Sequence, residues 1–268
     1  MEILNQKLKQ IKVAVVHDWL IFSAGAEKVI ASILEVFPQA DVFSLLDFFS
    51  DEDRSALQQK KATTSFLQKL PWAKSRYRYY APLMPLAVEQ FNLKAYDLVI
   101  SSSHAVAKGV LTGPDQLHVS YVHTPMRYAW DLQSQYLTEA GLDKNARGFL
   151  AKLLLHYLRF WDCRSVNGVD NFIANSQFTK ARIKKFYGRD AVVIYPPVDI
   201  EGFKPGSQKN DFYLTVGRMV PYKRIDLLVD AFAEMPDKTL VVIGDGPQRG
   251  KIKAGGLDNV KVLGHQST

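Results

Sequence analysis

The sequence predicts an α/β fold built from two parallel-sheet units, the second shorter than the first. Three observations predict it. Short β-branched runs alternate with segments of helical spacing, the mark of parallel strands joined by crossover helices. The run 196–210 holds Pro, Gly, Ser and Lys but no long apolar segment, and reads as a linker, with the boundary at 198/199. The alternation then restarts and gives three more strands before Thr268.

Each element has its own signal. Ile11 to Val16 is rich in valine and ends at His17-Asp18, a strand followed by a polar turn. Ala26 to Phe37 carries Val29, Ile30, Ile33, Leu34 and Phe37 at helical spacing and stops before Pro38. Strands follow at Asp41 to Leu46, at Leu98 to Ser101 ahead of a serine triplet and His104, and at His118 to Val122 ahead of His123-Thr124-Pro125. A long helix is predicted over Asn145 to Val166, read as core-facing, with a membrane anchor as the alternative and a breadth of apolar surface available for contact with a lipid acceptor. Asn171 to Ala174 is a strand. Ser176 caps a helix over Thr179 to Tyr187 that ends at Gly188, and Ala191 to Tyr195 is a strand stopped by Pro196-Pro197. In the second unit come strand Phe212 to Val216, helix Ile225 to Phe232, strand Thr239 to Ile243, the turn Gly244-Asp-Gly-Pro247, a short helix, and strand Val260 to Leu263. A doubly wound sheet usually carries five or six strands, so the second unit reads as incomplete.

The chain has 268 residues, 47% hydrophobic and 23% charged, which suits one large core or two modest ones. One cysteine, Cys163, excludes an internal disulfide framework and is read as a small buried hydrophobe. The polar start and the shortness of the run Val13 to Val16 argue against a secretory signal, and no stretch approaches the ~20 apolar residues of a membrane span. The expected location is therefore cytoplasmic, with any membrane contact peripheral, at the inner face of the cytoplasmic membrane.

The net charge of +7 is unevenly placed. No acidic residue falls between Asp53 and Glu89, a window that holds Arg54, Lys60, Lys61, Lys69, Lys74, Arg76 and Arg78. Phe66, Trp72, Tyr77, Tyr79 and Tyr80 are interleaved with them. Such a mixture suits an anionic membrane surface or a lipid phosphate. A solvated basic face and a nucleic-acid contact are the alternatives; no nucleic-acid partner is expected.

The sharpest functional signal is Val216-Gly-Arg-Met-Val-Pro-Tyr-Lys-Arg224. It sets Arg218 and Lys223 across a turn between a strand end and a helix start, where open α/β sheets bind anions. Two fixed cations there can hold a diphosphate as it becomes a leaving group. Gly25 lies at the first strand-to-helix turn, where a small residue lets the backbone approach a phosphate; a plain turn glycine is the alternative. Glu27 supports the helix dipole or touches substrate. His17 and Asp18, at a strand's C-terminal edge, are candidates for orienting an acceptor; for Asp18, capping of the following loop is the alternative. His104 is a weaker candidate.

Seven short segments in fixed order carry a family resemblance. They are His17-Asp-Trp-Leu20, Gly25-Ala-Glu27, Tyr121-Val-His-Thr-Pro125, Asn175-Ser176, Tyr195-Pro-Pro-Val-Asp199, Val216-Gly-Arg218 with Lys223, and Gly244-Asp-Gly-Pro247. The chain resembles the retaining GT-B glycosyltransferases of family 4 over almost its full length. The stretch His123 to Asp131 is most similar to bacterial mannosyl- and related transferases of surface polysaccharide assembly. The resemblance implies two Rossmann-like domains facing a cleft, the N-terminal one (1–198) for an acceptor and the C-terminal one (199–268) for a nucleotide-diphosphate sugar, GDP- or UDP-linked. It implies hexosyl transfer, with mannose as one candidate, to a lipid-linked or polysaccharide acceptor. Anomeric configuration is retained, without metal or cofactor. It gives His123 a contact to the transferred sugar, and Arg218 and Lys223 the donor diphosphate. The family commonly has Gly-Gly-x-Glu where this chain has Ala24-Gly25, which weakens the first diphosphate position. It also places a Glu-x7-Glu element beyond the last strand, and none occurs before Thr268. A C-terminally truncated donor domain and poor turnover are therefore expected. A non-catalytic nucleotide-sugar or lipid-phosphate binding module, or a sugar-nucleotide epimerase, remain as alternatives.

Overall fold

A computed structural model describes residues 10–142, 146–200, 202, 206 and 209–266. The chain divides into two compact units, Met1–Val198 and Asp199–Thr268.

The first unit is built on a seven-stranded parallel sheet. Its strands are β1 (Val13–His17), β2 (Asp41–Ser44), β3 (Thr63–Thr64), β4 (Leu98–Ser103), β5 (Leu117–Val122), β6 (Asn171–Ala174) and β7 (Ala191–Val193), in the order β3-β2-β1-β4-β5-β6-β7. Alternate residues of a strand face opposite sides of a sheet. In β1, Ala14 and Val16 join one core cluster and Val13 and Val15 join another. Both faces are covered, so β1 and β4 are buried along their whole length, which is why they read as continuous rather than alternating apolar runs.

Helix α1 (Gly25–Val36) packs Ile30 and Leu34 on one face, with Val13 and Val15. The short helix α2 (Asp51–Ser55) is flanked by Phe49 and Leu57 of that same cluster. The other face carries α3 (Ala73–Arg76), α4 (Met84–Glu89) and part of a long helix, with Tyr77, Met84, Ala87, Leu158 and Trp161 around one core; α5 (Gln133–Glu139) packs on that long helix, α6 (Ala146–Ser165). Helix α7 (Gln177–Tyr187) begins where Ser176 Oγ accepts the Thr179 N–H at 3.1 Å, and ends at Gly188 in the left-handed conformation. The expected helix start at Asn145 lies outside the described residues. The region 51–89 is a string of short helices and 3-10 turns that the sequence pattern does not announce.

Two expectations about single residues fail here. Cys163 is exposed, because it follows the buried pair Trp161 and Asp162 onto the outer side of α6. Arg54 is not part of a basic surface: it is buried, and its Nη1 and Nη2 donate to the Asp47 carboxylate at 2.7 and 2.9 Å.

A second ion pair lies deep in the unit. Lys108 is 1% exposed, and its Nζ is 2.5 Å from Asp162 Oδ1. It also donates to Ser165 Oγ at 2.6 Å. Asp162 accepts from Trp130 Nε1 at 2.8 Å and from the Tyr187 hydroxyl at 3.0 Å. One carboxylate thereby joins α6, α7, the turn after β4 and the loop after β5. Removing one partner of such a pair strands the other charge away from water. Lys108→Ala is therefore expected to lower unfolding free energy by about 3–5 kcal/mol in urea titration; an unchanged midpoint would show that Asp162 is satisfied without it.

The second unit holds a three-stranded parallel sheet among its described residues. It is ordered β10 (Val260–Gly264), β9 (Leu240–Ile243), β8 (Tyr213–Val216), with α8 (Ile225–Ala233) and α9 (Arg249–Ala254). Its core is Met219, Ile225, Val229, Phe232, Leu240, Val242 and Ile252.

Candidate functional site

In the first unit the order of connection reverses between β1 and β4. The crevice outside the carboxyl ends of strands at such a switch point is where open α/β sheets place ligands. His17 ends β1 and pairs in register with Ser102 of β4, and Ser102 pairs with Tyr121 of β5. The sheet itself thus brings His17, Asp18, the serine triplet, His104 and His123 together.

Asp18 organises this end of the sheet. It is fully buried, and its two oxygens accept the backbone N–H groups of His104, Ala105, Val106 and Ala107 at 2.7, 2.9, 2.6 and 2.7 Å. His104 Nδ1 lies 3.0 Å from Asp18 Oδ2. Burial pushes the Asp18 carboxyl up, but the His104 and His17 imidazoles and the His104 and Ala107 N–H groups outweigh it and hold it below the usual aspartate value. Asp18 does cap a loop, though the loop is the one that follows β4. A direct contact to an acceptor would require it to give up those bonds.

His17 is equally buried. Its Nδ1 donates to the Ser102 carbonyl at 3.0 Å and lies 3.2 Å from Ser102 Oγ. Its Nε2 has no hydrogen-bond partner and faces Glu27 Oε1 at 3.5 Å. Glu27 is buried at the first turn of α1, where its other oxygen accepts the Ala24 N–H at 3.0 Å. Glu27 therefore serves the helix start while lying against the His17 ring. Gly25, the first residue of α1, has open space where a side chain would stand.

His123 and His104 are the rings of this group that reach the surface. Ser102 Oγ lies 2.8 Å from His123 Nε2. Because His17 Nδ1–H is directed at Ser102, the serine hydroxyl is free to donate to His123 Nε2, which leaves the proton of a neutral ring on Nδ1. Burial, reinforced by His17 and His104, lowers His123 to about 3. His104 is lowered as well, mainly by burial, with Asp18 opposing. Both rings are thus neutral at ordinary pH. The loop after β5 is pinned by α7: Thr179 Oγ1 donates to the His123 carbonyl at 3.2 Å, and the buried Arg182 donates to Thr124 Oγ1 at 2.5 Å and to Asp131.

In the second unit, Arg218 and Lys223 are both exposed in the loop that leaves β8. That loop is braced from behind by backbone. Gly217 N donates to the Ile243 carbonyl at 3.0 Å and Met219 N to the Asp245 carbonyl at 2.9 Å. Gly244 and Gly246 allow this approach. Their φ values are +134° and +158°, and a Cβ would stand 2.0 Å from Gly217 O or 2.5 Å from Met219 O. The Gly-Asp-Gly-Pro turn is therefore a support for the arginine loop. Lys223 closes a 3-10 turn, and Arg224 in the left-handed region (φ +53°) redirects the chain into α8.

Ser102, Lys108, Asp162 and Arg182 were not singled out from sequence. A lysine inside the apolar run Ala105 to Leu111 was the available sign of a buried ion pair. Of the six basic residues expected at a lipid surface, Lys61, Lys69, Lys74, Arg76 and Arg78 are exposed and Lys60 is half-buried. Among the described residues no group of three or more His, Cys, Asp or Glu could hold a metal ion. None of their helices is long and apolar enough to cross a membrane.

Residues 23–201 match the family model described as Glycosyltransferase Family 4. The chain belongs to glycosyltransferase family 4. Residues 198–268 of this glycosyltransferase match a second model, Glycosyl transferases group 1. No curated protein matches it. Among solved structures it is similar to Anabaena HepE in complex with UDP-glucose, at 20% identity and TM-score 0.58, covering 95% of this chain and 69% of that one. It is also similar to a mutant of S. aureus TarM in complex with fondaparinux, α-GlcNAc-glycerol and UDP, at 12% identity and TM-score 0.58, covering 96% and 78%. A glycosyltransferase from Rickettsia africae ESF-5 matches at 13% identity and TM-score 0.52, covering 96% and 69%. At these identities the likeness shows a shared fold, that of the GT-B glycosyltransferases.

Two measurements probe the site's construction. Fully buried His118 donates from Nδ1 to the Gly168 carbonyl at 2.8 Å and accepts at Nε2 from Ser101 Oγ at 2.9 Å; burial lowers it to about 4. Between that value and the unfolded value of about 6.5, the unfolded chain holds more protons, so stability rises with pH and is lost on acidification. The urea midpoint should be level above pH ~7 and fall between about pH 6.5 and 4.5. His123 and His104, lowered as well, add to the same fall, so His118→Gln should lessen it without abolishing it; an unchanged slope would remove His118 as a contributor. Asp18, lowered, adds stability present above its unfolded value of about 3.9 and lost only as pH drops below it. In the second unit, Gly244→Ala combines a left-handed φ with a backbone clash and should cost about 1–3 kcal/mol in thermal unfolding; a neutral effect would mean that the two loops can part freely.

Proposed function

We propose that this glycosyltransferase moves a hexosyl group, with mannose as one candidate, from a nucleotide-diphosphate sugar to a lipid-linked or polysaccharide acceptor with retention of configuration. The observation that carries the reading is the braced loop 217–224, which holds Arg218 and Lys223 exposed at the carboxyl end of β8. Fixed cations there bind the donor diphosphate and stabilise its charge as the bond to the sugar breaks. Gly25, with open space beside the start of α1, is a further approach for the diphosphate.

The neutral His123 serves the first unit's side of the chemistry. A ring with its proton on Nδ1 donates a hydrogen bond to a sugar oxygen without adding positive charge next to a cationic, oxocarbenium-like centre. Ser102, His17 and Asp18 act by positioning: Ser102 fixes the His123 tautomer, and Asp18 and His17 fix the turn and strand ends on which the acceptor side is built. HepE is complexed with UDP-glucose and TarM with UDP, which supports a uridine nucleotide; a guanosine one rests on the sequence resemblance. The reading includes peripheral contact with an anionic membrane at its cytoplasmic face, through Lys60, Lys61, Lys69, Lys74, Arg76 and Arg78.

The test is calorimetric titration of the chain with UDP and GDP. Arg218→Ala and Lys223→Ala should each weaken the diphosphate about 10- to 100-fold, the loss of one charge-assisted hydrogen-bond partner. The corresponding monophosphates should bind more weakly and be less affected. Failure of the wild type to bind either diphosphate, or equal binding by the variants, would overturn the assignment. Product analysis with nucleotide sugars then separates transfer to an acceptor from epimerisation and from binding alone.

A further inference from the structure

The long helix α6 buries Leu158 and Trp161 but leaves a second set of apolar residues outside the core. Phe149, Leu150, Leu153, Tyr157 and Phe160 are 66%, 68%, 50%, 45% and 71% exposed. At about 100° per residue these five fall within an arc of roughly 100°. A single exposed leucine is ordinary, but a stripe along a whole helix marks a surface that something covers.

Charge decides what covers it. Arg147 and Lys152 are exposed along α6, Arg164 is paired with Glu89 of α4, and the acid of the helix itself, Asp162, is buried against Lys108. The exposed surface of α6 is therefore apolar and basic, with Glu89 already engaged by Arg164. A second copy docked symmetrically would set those cations against their own kind. An anionic bilayer satisfies both features, taking aromatic and leucine side chains into the acyl boundary and cations at the phosphates.

A separate segment has the same character. Trp72, Tyr79 and Leu86 are 69%, 80% and 50% exposed, in a stretch from Arg54 to Val88 without an acid. It shares the α6 face of the sheet: Tyr77, Met84 and Ala87 sit in one core cluster with Leu158 and Trp161.

We infer that α6 is a membrane-seating helix, lying along an anionic bilayer with its exposed stripe in the headgroup–acyl boundary. This rests on the proposed membrane contact, but assigns the apolar insertion to an element outside the basic segment.

Flotation on phosphatidylcholine vesicles, with and without phosphatidylglycerol, tests it. The variants are Phe149→Ser/Phe160→Ser, which alters only exposed positions, and Lys74→Gln/Arg76→Gln/Arg78→Gln, each checked for an unchanged urea midpoint. Wild type should float with the anionic vesicles, and the phenylalanine variant should partition at least about tenfold less. If that variant floats like wild type while the basic variant is lost, the α6 inference falls and the basic contact stands. If only the phenylalanine variant is lost, the α6 inference stands and the basic contact falls. Absence of wild-type binding, or a concentration-dependent dimer that the phenylalanine variant abolishes, overturns the inference.

Discussion

Two oxygens of one buried carboxylate, that of Asp18, accept four consecutive backbone N–H groups from residues 104–107, more than eighty positions away in sequence. Burying an aspartate costs several kcal/mol unless its lone pairs are occupied. Here the turn after β4 occupies all of them, and the adjacent histidines add donors and polarity. The consequence is geometric. The ends of β1 and β4, neighbours on either side of the switch point, are fastened above the sheet as well as within it. His104 is presented as the first residue of the fastened turn, and Lys108, just beyond the fourth N–H, is directed inward to Asp162. The candidate site and the deepest ion pair of the first unit thus share one origin.

The two units differ in electrostatic character. In the first, imidazoles crowd together in a poorly hydrated place. Burial and mutual repulsion keep His104 and His123 neutral, so the strand ends offer hydrogen bonds without net positive charge. In the second, Arg218 and Lys223 remain exposed and cationic on a loop whose backbone is stiffened by two close-packed glycines. The proposed reaction draws on both kinds of group: neutral polarity beside a developing cation, and fixed positive charge beside a departing diphosphate. The division follows from local burial within each unit.

Much of this was legible in the sequence where the signal is local. β1, β4, β5, β6 and α7 read correctly because buried parallel strands are apolar runs and because Ser176 and Gly188 bracket a helix in one stretch of chain. His123 and Arg218 were expected just past strand ends, and they follow β5 and β8. The region 51–89 was not legible, since its helices are only four to six residues long and its strand β3 is two threonines; neither is long enough to show a period. Ser102, Lys108 and Asp162 were missed for a different reason. Their partners lie 21 to 85 residues away, and only the assembled sheet brings them together. Arg54 shows the converse error: counted as surface charge, it is held inside by Asp47.

Helix α6 shows why apolar content alone did not reveal which side faces inward. Its aromatic and leucine residues nearly encircle it, so several rotations about the axis would bury a similar apolar area. The polar groups break the tie. Turning Phe149, Leu153 and Phe160 inward would carry Asp162 out and leave Lys108 a buried, unpaired ammonium, at a cost of about 3–5 kcal/mol. Trp130 and Tyr187 would lose their acceptor at the same time. Exposing a large apolar side chain costs roughly 1.5–3 kcal/mol, and rotation would only exchange Leu158 and Trp161 for others of similar size. One ion pair therefore fixes the rotation of a twenty-residue helix, and the apolar stripe on its outer side follows from where Lys108 had already been placed.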